Sequence, residues 1–537
     1  MSNDPSIMSA ETAASSWKSP RILLHHILCI LALMWVPLAN GQPHFFYDTT
    51  NYIRAADLAL HLYSGKRVST VWTDRYENQL PGANKELSDN KPKDSRPENQ
   101  SAAESDPPTH NDISSGLVMS GRSPYIGAFM LAGYITSNFW LFVLFQSVMS
   151  YILISLALRR FDIVDRKLIT GTVVGISAAT TLPYYNGLLL ADAFAAFGIL
   201  GFLLLVTPGR LSRAEFWFIV LAMAISVVSH LTHIVMLIAM LGMAILLALL
   251  KWTPPIPRRA WLAGFGMVLV GLGSVQITAL ATEAALGKKP QLLPLLTARF
   301  IPDGPGKAFI DAGCDDNRFQ VCRVPLGDTT SEAAFISATE PGVGTYLLAK
   351  PEERRTMGEE DVAFAWAVFQ FDPLGQSAAI FRNTFRQLTW VEYGGLNRGC
   401  FDRSPCWSSV PEPVRTELKE SLSGQNAWPE TFMTRLLQFS VLLSLVIIAY
   451  CLWQNARNGR IEWVIMRTWL AYIFIAMLAC SAFGGAVVDP QYRYIGRLIW
   501  LVPLCALIAL IMHRSRNAEA GRDHVQVDVR NPTGNPA

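Results

Sequence analysis

Long apolar stretches recur along the chain at 21–40, 138–158, 168–187, 190–206, 215–231, 233–250, 260–282, 434–453, 465–487 and 496–512. Each approaches the length a helix needs to cross about 30 Å of hydrocarbon. The pattern predicts an all-α polytopic membrane protein with about ten transmembrane helices. Two polar stretches interrupt it. The first outer loop, 41–124, contains a run at 74–116 rich in Asn, Lys, Asp, Glu, Ser and Pro. That run has too little apolar surface to offset its ordering entropy, which predicts a disordered insert. The second polar stretch, 283–432, is too long for a plain connection. A Gly/Pro turn in Ile301–Ile310 and helical apolar spacing at 359–371 and 376–391 predict a small, mostly helical outer (periplasmic) domain between spans 7 and 8. The remaining divisions are a tail at 1–20, an N-terminal transmembrane module at 21–282, C-terminal transmembrane helices at 433–512 and a tail at 513–537. No A-x-A cleavage pattern precedes Gln42, so 21–40 reads as a retained anchor and not a signal peptide.

Charge orients this pattern. Only 16% of residues are charged and 51% are hydrophobic, against about 25% charged in a soluble domain. A net charge of +3, with no basic run, excludes a nucleic-acid partner. The basic residues sit in short clusters: Arg159, Arg160, Arg166 and Lys167; Arg210 and Arg213; Lys251, Arg258 and Arg259; Arg457, Arg460 and Arg467; Arg514 and Arg516. With the N-terminus inside, all of them fall on one face, as the positive-inside rule requires. The expectation is a multi-pass protein of a bacterial inner (plasma) membrane, with both termini cytoplasmic and the large loops outside. Cys29, Cys451, Cys480 and Cys505 lie in apolar stretches and read as small hydrophobes. Cys314, Cys322, Cys400 and Cys406 share the outer polar stretch, where oxidising conditions favour disulfides. Of their three pairings, Cys314–Cys322 with Cys400–Cys406 is the one expected. An Asn99-Gln100-Ser101 sequon matters only if a glycosylation machinery meets it.

Several polar residues fall on the outer side of the apolar stretches. Asp48 opens a predicted helix that ends before Gly65, so it reads either as a helix cap or as a reactive carboxylate. Asp192 stands at the start of the fourth span, where an ionisable group is costly and points to function. His230 and His233 meet at the junction of two spans and read as metal ligands, phosphate ligands or interhelical contacts. Arg493 and Arg497 break the positive-inside pattern, and guanidinium binds phosphate bidentately; pairing of Arg493 with Asp489 is the competing reading. Gly304-Pro305-Gly306-Lys307 is not a nucleotide loop, because the Walker spacing and the hydroxyl after the lysine are both absent.

The arrangement resembles the GT-C class of polytopic glycosyltransferases, the group that includes protein mannosyltransferases and lipid A aminoarabinose transferases. Three features carry the resemblance: Tyr47-Asp48 followed by Tyr52 after the first span; Arg122-Ser123-Pro124-Tyr125 before the second, with Gln146 further on; and Arg493-Tyr494 ahead of an apolar stretch containing Pro503. It covers residues 22–250 and 489–503. By resemblance, Asp48 would be the general base, Asp192 the second catalytic acid, and Arg493 the holder of a polyprenyl-phosphate sugar. Arg497, Tyr52, Arg122, His230 and His233 complete the candidate substrate-binding set. The implied activity moves a sugar from a polyprenyl-phosphate donor to an envelope glycan, lipid or protein on the outer face. The partners are membrane lipid and lipid-linked sugar. The sugar, the acceptor, protein partners and any need for a divalent metal are not legible. The alternative is a non-enzymatic polytopic protein, a transporter or an envelope-glycan assembly factor. A transporter would show inverted repeats and ionisable groups at mid-membrane; here no repeat is evident and the acids sit at span ends.

Overall fold

In a computed structural model, residues 20–46, 48–73, 122–287, 289–397, 410–455 and 460–529 are described; at Leu62, Ala285, Leu286 and from residue 516 onward only the backbone is. The insert at 74–116, the Asn99 sequon and the Cys400–Cys406 pairing lie outside the described residues. Among the described residues the secondary structure is helical, with no strand beyond one isolated parallel bridge between His44 and Leu188. The chain is an all-helical membrane protein.

Among the described residues six helices are long and apolar enough to cross a membrane, where ten were expected: Trp140–Arg159, Leu231–Leu249, Arg258–Ala284, Glu430–Gln454, Ile461–Val487 and Tyr492–Ser515. The other four apolar stretches fold as short or interrupted helices. The first splits into α1 (Pro20–Leu33) and α2 (Trp35–Asn40), the latter with Pro37 inside. The third splits into α3 (Arg166–Ala179) and α4 (Leu182–Gly187), separated by extended backbone at Thr180, with Pro183 opening the second piece. The helix at Arg213–Ser229 has 17 residues. The fourth stretch is α5 (Ala193–Val206), whose 14 residues rise about 21 Å, less than the hydrocarbon thickness. Every α5 residue but Gly198 is buried. A helix apolar on all sides is what a bundle core requires, so this stretch supplies the centre of the bundle and not a lipid-facing crossing. Continuous apolarity does not distinguish the two.

The polar stretch at 283–432 divides by packing. Phe300, Phe309, Phe319, Phe335, Phe364 and their neighbours form a core of their own, closed by a Cys314–Cys322 disulfide. Tyr393, Leu396, Val414, Leu418 and Trp428 pack instead into the core of the main bundle. The Ile301–Ile310 turn is realised as helices Leu295–Asp303 and Pro305–Asp311 meeting at Gly304.

A buried ionic knot joins this small helical body to the bundle. Arg299 pairs with Asp303 and Asp489. The backbone N–H of Asp489 donates to Glu332, whose other oxygen is buried without a partner. Asp489 therefore pairs with Arg299, and Arg493 is left for other partners. Burial, reinforced by Asp489, pushes the Glu332 carboxyl up to about 8, and burial raises Asp489 as well. An acid raised on folding stabilises fully below its unfolded value, about 4.3 for Glu, and loses that contribution as pH rises towards the folded one. The melting temperature of the detergent-solubilised protein should therefore carry a downward component between pH 5 and pH 8 that Glu332→Gln reduces. Parallel pH profiles for the two proteins would contradict the assignment.

Candidate functional site

The site is assembled by a zipper between two irregular segments. The backbone N–H of His44 donates to Gly187 (2.8 Å) and that of Leu189 donates back to His44 (2.9 Å), closing the isolated bridge. The Thr49 hydroxyl donates to the Leu189 carbonyl at 2.8 Å. Buried Gln146 holds the same segment from the other side, its Nε2 donating to the Asn186 carbonyl at 3.0 Å. The segment carrying Asp48 is thereby laid against the segment that ends in Asp192.

Asp48 sits just before the helix Thr49–Tyr63, and its carbonyl accepts the first helical bonds, from Asn51 and Tyr52. Its carboxylate turns to two arginines: Oδ1 to Arg122 at 2.5 Å and Oδ2 to Arg493 at 3.3 Å. The helix lies hard against the next one, Pro124–Ser137, because Gly127 has no side chain. A Cβ there would stand 2.2 Å from the Tyr52 carbonyl oxygen. That approach brings Arg122 over the Tyr52 ring, 5.9 Å from its centre.

Arg493 and Arg497 are four residues apart, so they project from one face of the chain entering the last span. Gly496 lets this turn settle on Tyr185, since a Cβ would meet the Tyr185 hydroxyl at 2.4 Å. The Thr181 hydroxyl donates to the Gly496 carbonyl and the Tyr185 hydroxyl to the Arg493 carbonyl. Arg497, 1% exposed, donates to Asp192 at 2.9 Å, to the Thr232 hydroxyl at 2.9 Å and to the Cys480 sulfur at 3.4 Å. Arg493 reaches Asp48, stands 4.0 Å from Asp192 and covers the Phe46 ring at 4.8 Å. Three guanidinium groups thus meet two carboxylates, a surplus of one positive charge. Arg493 Nε and Arg497 Nε are buried donors without an acceptor.

The two histidine rings lie side by side, their centroids 5.6 Å apart, but they bond to different partners. His230 Nδ1 accepts from the Thr232 backbone N–H at 3.2 Å and lies 2.9 Å from the Thr232 hydroxyl that also receives Arg497. His230 therefore joins the cluster through Thr232. His233 Nδ1 donates to the Ser226 carbonyl at 2.8 Å. Its Nε2 is buried without a partner, and the residue lines a small cavity with Met223, Met236 and Met240. Among the described residues no hydrogen bond ties His233 to the arginines, and no group of three or more His, Cys, Asp or Glu is placed to hold a metal. Comparison of the chain with protein-family models, with curated proteins and with solved structures finds no match in any of the three.

Sequence reasoning missed Thr232, Cys480 and Phe46. Thr232 stood between the two histidines and drew no attention. Cys480 and Phe46 carry no signal, because a thiol or a ring in an apolar neighbourhood reads as packing.

Electrostatics explains the state of Asp48. Burial alone would raise its carboxyl, but the guanidinium groups of Arg122 and Arg493 outweigh burial and hold it below the usual carboxylate range. Asp48 is held ionised and poorly basic while Arg493 stays on it. Removing one partner of a buried pair is far costlier than removing one of an exposed pair, about 3–5 against 0–1 kcal/mol. Asp192→Asn should accordingly destabilise the detergent-solubilised protein much more than Asp48→Asn, whose carboxylate and Arg122 partner reach solvent. Equal losses in thermal or denaturant melts would contradict this division between a structural and an exchangeable pair.

Proposed function

We propose that the protein is a GT-C-like membrane glycosyltransferase that moves a sugar from a polyprenyl-phosphate donor to an acceptor hydroxyl on the outer face of a bacterial inner membrane. The observation that carries this reading is the convergence of Asp48, Asp192, Arg122, Arg493 and Arg497, with one cation in excess. A phosphate supplies the missing negative charge and acceptors for the idle Nε donors. The basic clusters at the other ends of the apolar stretches support an outer location for the site, with both termini in the cytoplasm.

In the reaction, the acceptor oxygen attacks the anomeric carbon from the face opposite the phosphate. The bond from that carbon to the phosphate oxygen breaks, and the electron pair leaves on the lipid phosphate. The hydroxyl proton passes to Asp48. Arg493 stabilises the charge that develops on the leaving phosphate. In this scheme Arg493 exchanges Asp48 for the donor phosphate, which restores basicity to Asp48 at the moment it is needed. Asp192 acts as a positioning residue, holding Arg497 and with it the register of the turn that carries Arg493. Arg122 and Tyr52 remain beside Asp48 and orient it. Nothing in this scheme requires a metal, and a divalent ion on the donor phosphate stays compatible with it.

The test separates binding from chemistry. Native mass spectrometry of the detergent-solubilised chain with polyprenyl phosphate should show a bound lipid, and Arg493→Ala should weaken it at least tenfold. In membranes supplied with radiolabelled polyprenyl-phosphate sugars, Asp48→Asn should keep the lipid but lose about 10²–10⁴-fold in transfer. Full transfer by Asp48→Asn would remove Asp48 as the base, and absence of lipid binding by the unsubstituted chain would remove the reading altogether.

A further inference from the structure

The helix Pro373–Thr389 is polar inside and apolar outside. Its inward face carries Gln376, Asn383 and Gln387, all buried. Gln376 and Asn383 donate to Asp303 at 3.2 and 2.8 Å. Gln387 makes a reciprocal pair with the backbone of Gln491, Nε2 donating to its carbonyl at 2.8 Å and Oε1 accepting from its N–H at 2.6 Å. Its outward face carries Leu374, Phe381 and Phe385, which are 83%, 74% and 60% exposed. Helical spacing puts Ala378 on that same face. The preceding helix, Pro351–Phe371, adds exposed Val362, Trp366 and Phe371 as it reaches the elbow at Asp372. Such a patch is far from a scattering of single apolar residues, and water is an unfavourable neighbour for it.

Position and charge identify what covers it. Asn383 and Thr384 lie against Gly485, near the outer end of the span Ile461–Val487. Just beyond the helix, the Val391 carbonyl accepts from Gln438 and the Tyr393 N–H donates to Thr434. Those two residues stand one to two turns into the span Glu430–Gln454, whose Phe432 and Phe439 are exposed in the same way. The apolar face of the helix is therefore continuous with the apolar faces of two spans. Arg382 and Arg386 are the helix's only charged residues; both are exposed and flank the apolar stripe, and Arg386 lies over the Trp390 ring at 4.9 Å. Arginine and tryptophan beside an apolar stripe are what the headgroup boundary of a bilayer favours.

We infer that Pro373–Thr389 is an interfacial helix, seated in the lipid leaflet at the Gly485 end of the spans with Leu374, Phe381 and Phe385 among acyl chains and Arg382 and Arg386 at phosphate level. It belongs to the membrane surface and not to a soluble cap, although its length and composition give no membrane-span signal. Through Gln387 and Gln491 it also anchors the strap that runs on to Arg493. The inference is independent of the proposed transferase activity.

Spin labelling tests it on the full chain reconstituted into phosphatidylethanolamine–phosphatidylglycerol vesicles. Single nitroxides are placed by Ala378→Cys, the mildest change, by Phe385→Cys, and by Glu352→Cys at the far end of the preceding helix. The unsubstituted chain gives the background from native cysteines. Power saturation should show oxygen reaching the labels at 378 and 385 several-fold better than a water-soluble nickel chelate, with the reverse at 352. Nickel access exceeding oxygen access at 378 and 385 would overturn the inference. Strongly immobilised labels reached by neither probe would also overturn it, by showing a protein partner on that face.

Discussion

Gathering three guanidinium groups beside two carboxylates at the end of a helical bundle, with Arg493, Arg497 and Asp192 buried, is the constraint on which the rest of this structure turns. An unpaired charge removed from water costs several kcal/mol, so buried Arg493 and Arg497 must each be met by an acceptor. Asp192 and Thr232 meet Arg497 deep in the bundle. Asp48 is stretched between the other two. The cluster is short of one negative charge, and its Arg493–Asp48 contact, at 3.3 Å, is looser than the Arg122–Asp48 contact at 2.5 Å. An incoming phosphate would compete there, and the carboxylate it displaced would gain basicity. Binding and activation of the base would then be one event.

The surrounding fold serves this arrangement. The His44–Leu188 bridge and Thr49 align the two acid-bearing segments. Gly127 and Gly496 allow backbones to approach where a side chain would push the arginines out of reach. Asp489, four residues before Arg493, is taken by Arg299 in the ionic knot of the small helical body. That pairing keeps a third carboxylate away from Arg493 and so preserves the surplus positive charge.

Much of this was legible in the sequence, in proportion to how directly each residue's chemistry conflicts with its surroundings. Asp192, Arg493 and Arg497 stood out because ionised groups among apolar residues demand partners, and the structure brings all three together with Asp48 and Arg122. The helical character of the chain followed from its apolar runs, and so did the helix after Asp48. The number of crossings did not. A buried core helix such as Ala193–Val206 and a lipid-facing one share the same apolar composition, and only length and packing tell them apart. His230 and His233, neighbours in sequence, stay ring to ring at 5.6 Å, yet a helix start between them gives the two rings different hydrogen-bond partners. The Pro373–Thr389 helix carries too many polar residues to register as a membrane element, because its polar face is satisfied inside the protein.

The most direct measurement is an experimental structure of the chain in lipid nanodiscs with polyprenyl phosphate added. The phosphate should sit within hydrogen-bonding distance of Arg493, with Asp48 parted from Arg493 but still held by Arg122, and with the Asp192–Arg497 pair unchanged. A phosphate bound elsewhere, with the Asp48–Arg493 contact intact, would contradict the exchange on which the proposed chemistry depends.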